Sequence, residues 1–229
     1  MSDNKLHQVE TDPILKMKDW WQKNQKVLVT AIVVVVIAVG GWYAYKTYVA
    51  GPKEDQANLA IYHAETYFRA DSLKLALNGD GLHKGFVYIA KNFDGTKAGN
   101  LAKYYAGVCY LQTGDFKSAV KYLEDFSTNA KQIQMMAYGA LGDAYSELKQ
   151  NDQAVSSYKK AAETFGSDEL NASEYLFRAG LLSETIGKTK EAVDIYKELK
   201  EKFPTSAKGR QADKYIYRLS IEPNETSAK

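Results

Sequence analysis

The residues best suited to chemistry in this chain are its histidines and its single cysteine. His7 precedes a long apolar segment, whereas His63 and His83 follow it. If that segment crosses a membrane, His7 cannot share a site with the other two. His63 and His83 lack the spacing of a metal-binding pair. Because His63 falls at helical spacing with Leu59 and Tyr67, we expect it to pack rather than to bind a metal.

Cys109 is a weak candidate for a nucleophile. It lies between Val108 and Tyr110 in a helical pattern, with no helix terminus or basic neighbour to stabilise a thiolate. A lone cysteine also excludes an intramolecular disulfide and a cysteine-based zinc cluster. We expect a buried structural thiol.

No other motif suggests catalysis. The "GDG" at 79–81 lacks the alternating oxygen ligands and the closing Glu of a calcium loop. The sequence has no glycine-rich phosphate loop, no metal-binding histidine motif and no serine elbow. We therefore predict a protein that is not an enzyme, with no catalytic residues, no cofactor and no metal. The formal net charge of +2 gives no electrostatic reason to expect nucleic acid as a partner.

The strongest single feature is the uncharged run from Val27 to Tyr45. As a helix this run is about 28 Å long, close to the roughly 30 Å hydrocarbon core of a bilayer. Two tryptophans precede it, and Trp42, Tyr43, Tyr45 and Tyr48 close it, as in interfacial belts. The run exceeds the apolar core of a signal peptide, and bulky Tyr48 does not suit a cleavage site. We predict an uncleaved transmembrane helix at 26–49.

Lysines before this span predict its orientation. Lys16, Lys18, Lys23 and Lys26 lie shortly before it, and few uncompensated cations follow it. The positive-inside rule then places residues 1–25 in the cytoplasm as a tail. Binding of anionic lipid headgroups by these lysines is an alternative, but topology alone accounts for them. The predicted localisation is the bacterial inner membrane, single-pass, with the C-terminal domain in the periplasm.

A repeat follows the span. The small-residue pairs ending at Gly107, Gly142 and Gly180 are separated by 35 and 38 residues. A second set of small residues, Ala119, Ala154 and Ala192, recurs with the same two separations. The second copy has Lys149 where the others have a turn glycine, and the third has Ser183 where the others have tyrosine.

This pattern resembles the tetratricopeptide repeat over about 100–204, with Pro204 ending the third copy. The resemblance implies an all-α fold: a single N-terminal transmembrane helix followed by a helical-repeat solenoid at 53–220, of about three and a half hairpins. "AGPKED" at 50–55 is predicted to be a hinge. A longer first hairpin is expected at 56–93, with helices Gln56–Asn78 and Phe86–Phe93 joined at "NGDG". A final helix at 207–220 would cap the stack, before a polar tail at 221–229.

If the family geometry holds, the first helix of each copy lines a groove. Such a groove could bind an extended or helical polypeptide. The alternative is that Tyr104, Val108 and Phe177 only pack against the next hairpin. The candidate groove residues are Tyr104, Val108, Leu111, Gln112, Asp143, Glu147, Phe177, Leu181 and Glu184.

An anchor followed by such repeats resembles the YfgM-type ancillary subunit of the bacterial Sec translocon. The segments "YHAETYFRADSLKLALNGDGLHKGF" and "TKAGNLAKYYAGVCYL" are most similar to its Bacteroidetes members. The resemblance implies a non-enzymatic adaptor in the lipid bilayer. Its partners would be the SecYEG translocon, a PpiD-like periplasmic chaperone and secreted client polypeptides.

Two other classes fit the same architecture. One is a structural scaffold of an envelope complex for division, motility or outer-membrane assembly. The other is an organelle-import receptor with its repeats in the cytosol, which a protease-protection assay would distinguish. An enzyme would need a deep pocket with converging polar groups.

Overall fold

A computed structural model describes the backbone of residues 13–225 and the side chains of residues 13–221. The first part of the predicted cytoplasmic tail, with His7, and the last residues of the predicted polar tail lie outside the described residues. The chain divides into two compact units, residues 1–52 and 53–229. Each is described separately.

The first unit is dominated by α1, Pro13–Tyr45. Its apolar side chains are exposed, and by length and composition the helix could cross a membrane. A π-helical turn, Lys46–Ala50, follows it. Pro52 follows this turn and has no N–H to donate to a carbonyl one turn earlier. The Gly51 N–H donates to Lys46 O, five residues back, which is the hydrogen bond of a π-helix. The residues of the predicted hinge, 50–55, are helical.

The described part of the second unit consists of helices, with one isolated bridge between Gly79 and Lys84. The helices after α1 are α2 Gly51–Arg69, α3 Leu73–Asn78, α4 Phe86–Asn92, α5 Lys97–Gln112, α6 Phe116–Glu124, α7 Lys131–Glu147, α8 Asn151–Thr164, α9 Glu169–Thr185, α10 Thr189–Lys202 and α11 Ala207–Glu225. The predicted final helix is present and extends to Glu225.

The three predicted repeats are the hairpins α5–α6, α7–α8 and α9–α10. We call the first helix of each hairpin helix A and the second helix B. The repeat glycines of helix A lie against helix B: a Cβ on Gly142 would come 2.5 Å from the Tyr158 ring, and one on Gly180 would come 2.7 Å from Tyr196. Gly107 faces Leu123 in the same way. The prediction that these glycines permit close helix packing is confirmed.

Each repeat turn passes through the left-handed region. Gly114 and Gly187 have φ of 83° and 77°. Lys149, which replaces the turn glycine in the second copy, adopts φ of 60°. The backbone hydrogen bonds are the same at each turn, so the lysine follows the glycine geometry despite its Cβ.

The first hairpin differs from the prediction. The expected helix 56–78 is interrupted after Arg69, where Asp71 has φ of 55° and donates its N–H to Phe68 O. This is the same cap as at Gly114, so the hairpin turn lies here and not at "NGDG". Helix B is then split into α3 and α4 by an inserted loop at 79–85. The sequence signal at Gly79, whose φ is 84°, correctly marks a break but not the turn.

The chain closes on a helix A without a helix B. Gly209 of α11 lies against Phe203 O, as Gly99 of α5 lies against Phe93 O, so the two helices occupy equivalent places. This equivalence puts Tyr217 at the position of Gly107. Its side chain is 71% exposed. Residues 53–225 thus form four hairpins and a closing helix.

Candidate protein-binding surface

Helices α5, α7 and α9 carry the nine predicted groove residues, and we call the surface they form the helix-A wall. Burial divides the nine into three groups. Phe177 is buried. The exposed members are Gln112, Glu147 and Leu181, and the half-buried members are Tyr104, Val108, Leu111, Asp143 and Glu184.

Two of the acidic members of the wall, Asp143 and Glu184, form ion pairs. Asp143 Oδ1 lies 3.0 Å from Nη1 of Arg178 and accepts a 2.7 Å hydrogen bond from the Tyr158 hydroxyl. Burial opposes the charged form of Arg178, yet Asp143 and Glu174 outweigh it and raise the pKa of the guanidinium. Burial, and then Asp143, raise the pKa of Tyr158, so its hydroxyl remains a donor.

Two further ion pairs extend this arrangement towards α11. Glu174 lies 3.3 Å from Nζ of Lys208, and Glu184 lies 2.7 Å from Nη2 of Arg218. These ion pairs place basic partners beside the apolar and acidic residues of the wall. Each of these ion pairs joins two neighbouring helices A, so it helps to fix the spacing of the repeats.

The sequence reasoning missed Arg178, Lys208 and Arg218. The signal that could have found two of them is the repeat period itself. Arg178 follows Asp143 by 35 residues, and Arg218 follows Glu184 by 34. Opposite charges one repeat apart fall on adjacent helices A and can meet. Met136, exposed one turn before Gly139, was also missed, although it lies two turns from Asp143 on the same helix face.

Aromatic residues fill the spaces between helices. The Tyr175 ring lies directly on Gly139, where any side chain would collide with it. The Phe177 ring packs 5.2 Å from Tyr215, with Lys208 Nζ 4.1 Å from its centre. Tyr104 packs 5.5 Å from Phe126. The packing interpretation fits Phe177 best, whereas Tyr104 and Val108 keep part of their surface in solvent.

Cys109 is fully buried in α5, as predicted, and burial raises the pKa of its thiol to about 12. His63 and His83 do meet, with ring centres 3.8 Å apart, which the sequence spacing did not indicate. Among residues 13–225, no group of three or more His, Cys, Asp or Glu side chains is placed to hold a metal ion.

A separate depression of about 710 Å³ lies between α8 and α10. Its rim carries Lys159, Lys188 and Glu191. Lys188 is already paired, 2.6 Å from Asp152 and 3.7 Å from Glu191. Because these ion pairs are exposed, we interpret the depression as part of the solvated face of the helices B.

Comparison with curated proteins finds no match to this chain. The sequence pattern of the tetratricopeptide repeat-like domain family matches residues 18–212, which is most of the chain. Domains of this family typically act as non-catalytic protein-interaction modules. The repeat phase, the glycine contacts and this match agree, and the chain belongs to the tetratricopeptide repeat-like domain family.

Proposed function

We propose that this protein is a membrane-anchored, non-enzymatic adaptor of the bacterial Sec translocon. In this proposal α1 spans the inner membrane with the N-terminus in the cytoplasm. The repeat unit lies in the periplasm, where it binds a PpiD-like chaperone or an emerging secreted chain near SecYEG. The observation that carries the proposal is the direct succession of a long apolar helix and a tetratricopeptide stack in one chain.

The helix-A wall is the proposed binding surface. Leu181 and Met136 are exposed on it, and Tyr104 and Val108 are partly accessible. Surrounding ion pairs would give the site a polar rim around a small apolar centre, which is the usual composition of a specific interface. Anchoring raises the effective concentration of this surface for any partner held in the same membrane.

Co-purification tests the proposal. The full chain is extracted in mild detergent, and the recovered proteins are compared with those from Leu181→Asp. Leu75→Asp on α3 is the matched control, because Leu75 and Leu181 are similarly exposed at 41% and 43%. We expect the wild type and the Leu75 variant to recover translocon subunits or a periplasmic chaperone, and the Leu181 variant to lose the directly bound partner.

Recovery of neither class by the wild type would refute the Sec assignment. If division, motility or outer-membrane assembly proteins were recovered instead, the chain would be an envelope scaffold. Protease treatment of intact spheroplasts tests the topology independently. Digestion of the repeat unit is expected there, and digestion only from the cytoplasmic side would contradict a periplasmic location.

A further inference from the structure

The inserted loop at 79–85 opens a groove in helix B of the first hairpin. In the three repeats helix B is a single helix, whereas here it is broken into α3 and α4. The end of α3 and one side of α4 together line a groove of about 420 Å³, which we call the α3–α4 groove. Its lining residues are Leu77, Asn78, Val87, Tyr88, Lys91 and Asn92.

The loop that separates the two helices is ordered. The Asp80 carboxylate accepts two backbone N–H groups of the loop and a tyrosine hydroxyl of α2. Gly79 pairs with Lys84 in the isolated bridge, which closes the loop at its base. A Cβ on Gly85 would collide with Leu77 O, so glycine permits the chain to return this close to α3. The groove is therefore formed before any ligand arrives.

The α3–α4 groove combines apolar surface with basic side chains. Leu77 is buried, and Tyr88 is 42% exposed. Lys91 lines the groove, and Nζ of Lys84 lies 5.0 Å from the centre of the Tyr88 ring. Lys74 is exposed one turn before the end of α3. Within the described side chains, 13–221, no ion pair neutralises any of these three lysines.

The nearby acidic residues do not compensate this charge. Among the described residues, no acidic side chain lines the groove, and α5, against which α4 packs, has none. Asp80, the only acidic residue of segment 73–92, is held by the loop, and Asp94 lies 2.9 Å from Nζ of Lys103. Asp71 precedes α3, whereas the groove lies at the other end of that helix. Charge complementarity therefore calls for an acidic partner.

We propose that the α3–α4 groove binds an extended, acidic segment of another polypeptide. An apolar side chain of the segment contacts Leu77 and Val87, and its carboxylates lie beside Lys84 and Lys91. This surface belongs to helix B of the first hairpin, whereas the helix-A wall is formed by α5, α7 and α9. The groove is thus a second interaction surface, and it can be tested separately from the wall.

Two asparagines favour a polypeptide over a phosphate ligand. The side-chain amide of Asn78 donates to Lys74 O at 3.2 Å, and that of Asn92 donates to Tyr88 O at 2.9 Å. Both donors are thus bonded within their own helices, and the two side-chain carbonyl oxygens are left as acceptors at the groove. Backbone N–H groups of an extended peptide can donate to such oxygens, whereas the oxygens of a phosphate would be repelled.

The test uses the full chain in phosphatidylcholine nanodiscs and a rhodamine-labelled peptide with a central leucine flanked by glutamates. Fluorescence anisotropy measures binding. Two matched peptides carry glutamine for glutamate or glycine for leucine, and a single-stranded oligonucleotide of equal charge is the phosphate probe. Lys91→Gln removes one charge of the groove. Lys197→Gln on α10 is the matched control, because both lysines are exposed on helices.

We expect the leucine–glutamate peptide to bind saturably and more tightly than either matched peptide. Lys91→Gln should raise its Kd by about twofold to fivefold, which corresponds to the loss of one exposed ion pair. Lys197→Gln should leave the Kd unchanged. Circular dichroism checks that both variants keep the helical fold.

Four outcomes would overturn the proposal. They are no saturable binding up to about 1 mM peptide, equal affinity for the leucine and glycine peptides, equal losses in the Lys91 and Lys197 variants, and tighter binding of the oligonucleotide. The last outcome would assign the groove to a phosphate ligand. None of them bears on the Sec assignment, because the assay contains no translocon component.

Discussion

At the residue scale, the second repeat turn shows a cost that the other copies avoid. Lys149 holds a left-handed backbone, with the same hydrogen bonds that Gly114 and Gly187 make. The Cβ of an L residue is crowded in this conformation, whereas glycine is not. The lysine side chain itself is exposed and has no role in the turn.

We therefore predict that Lys149→Gly raises the free energy of unfolding by about 1 kcal/mol. Chemical denaturation followed by circular dichroism measures the change. The reciprocal variant Gly114→Lys should lower stability by a similar amount. If Lys149→Gly is neutral while Gly114→Lys destabilises, the second turn is held by contacts other than its backbone.

Ser183 is the second unusual residue. It is fully buried where the other copies have Tyr110 and Tyr145, and its hydroxyl has no hydrogen-bond partner. A buried polar group without a partner costs free energy. Ser183→Ala is therefore predicted to stabilise the protein by about 1 kcal/mol or more.

Thermal or urea denaturation checks this prediction against Ser156→Ala, an exposed serine in α8. Both substitutions gain the same helix propensity of alanine over serine, about 0.5 kcal/mol, but only Ser183→Ala also removes a buried hydroxyl. An equal increase in the free energy of unfolding at the two positions would show that the buried Ser183 hydroxyl does not destabilise the protein.

At the element scale, each hairpin depends on the contact between a helix-A glycine and a large side chain of helix B. Alanine is normally preferred to glycine inside a helix by about 1 kcal/mol. At Gly142 a Cβ would lie 2.5 Å from the Tyr158 ring, so the ring or the helix has to move. Overpacking of this kind typically costs about 1–3 kcal/mol.

Gly142→Ala is thus predicted to destabilise the protein, despite its helix propensity, by about 1 kcal/mol or more. A double-mutant cycle with Tyr158→Ala measures the coupling, and the smaller side chain should relieve part of the loss. Additive effects of the two substitutions would contradict a direct contact as the cause.

The inserted loop is the second element with a clear determinant. A hydrogen bond from the His83 backbone N–H, followed by those from the Tyr67 hydroxyl and the His83 ring, holds the pKa of Asp80 well below its ordinary value. Because the folded pKa is depressed, the stabilisation is present above the unfolded pKa, near 4, and is lost only as pH falls through the lower folded value.

We expect Asp80→Asn to increase hydrogen exchange at the Leu82 and His83 amides at neutral pH, because the charged acceptor is gone. The wild-type loop should keep its protection down to pH values below the ordinary aspartate pKa. Asp152→Asn, on an exposed pair in α8, is the control and should leave these amides unchanged. Unchanged protection in the Asp80 variant would show that the loop is held by other contacts.

The sequence predicted the repeat phase, the helix pairs and the burial of Cys109, because glycine, alanine and tyrosine spacing encodes packing directly. It misplaced the first hairpin turn. The glycines of "NGDG" are a stronger turn signal than Asp71, yet Asp71 is the residue that adopts the left-handed backbone of the turn. It also missed the pairing of Asp143 with Arg178 and of Glu184 with Arg218. Those contacts depend on the positions of successive helices A, which local periodicity does not give.

At the scale of the whole molecule, residues 53–229 form a compact unit with its own core. Two buried clusters make up that core, and Tyr110 packs against both of them. The side chains of α1 are not buried, and the residues of both clusters lie after residue 52. The repeat unit should therefore fold without the anchor.

A fragment of residues 53–229 is predicted to be soluble and helical, with a cooperative unfolding transition. Circular dichroism and denaturation compare it with the full chain in detergent. Lys149→Gly introduced into the fragment should shift its unfolding transition to a higher denaturant concentration, as in the full chain. An unfolded fragment would show that the first unit contributes to the stability of the stack.

The closing helix also carries a residue that does not suit the packing of a further helix B. Tyr217 occupies the place that glycine holds in the three repeats α5–α6, α7–α8 and α9–α10, so its ring would lie where another helix B would pack. Adding a repeat by duplication of one hairpin would leave that ring in the new junction. Engineered extension of the array therefore requires replacing Tyr217 by a small residue first.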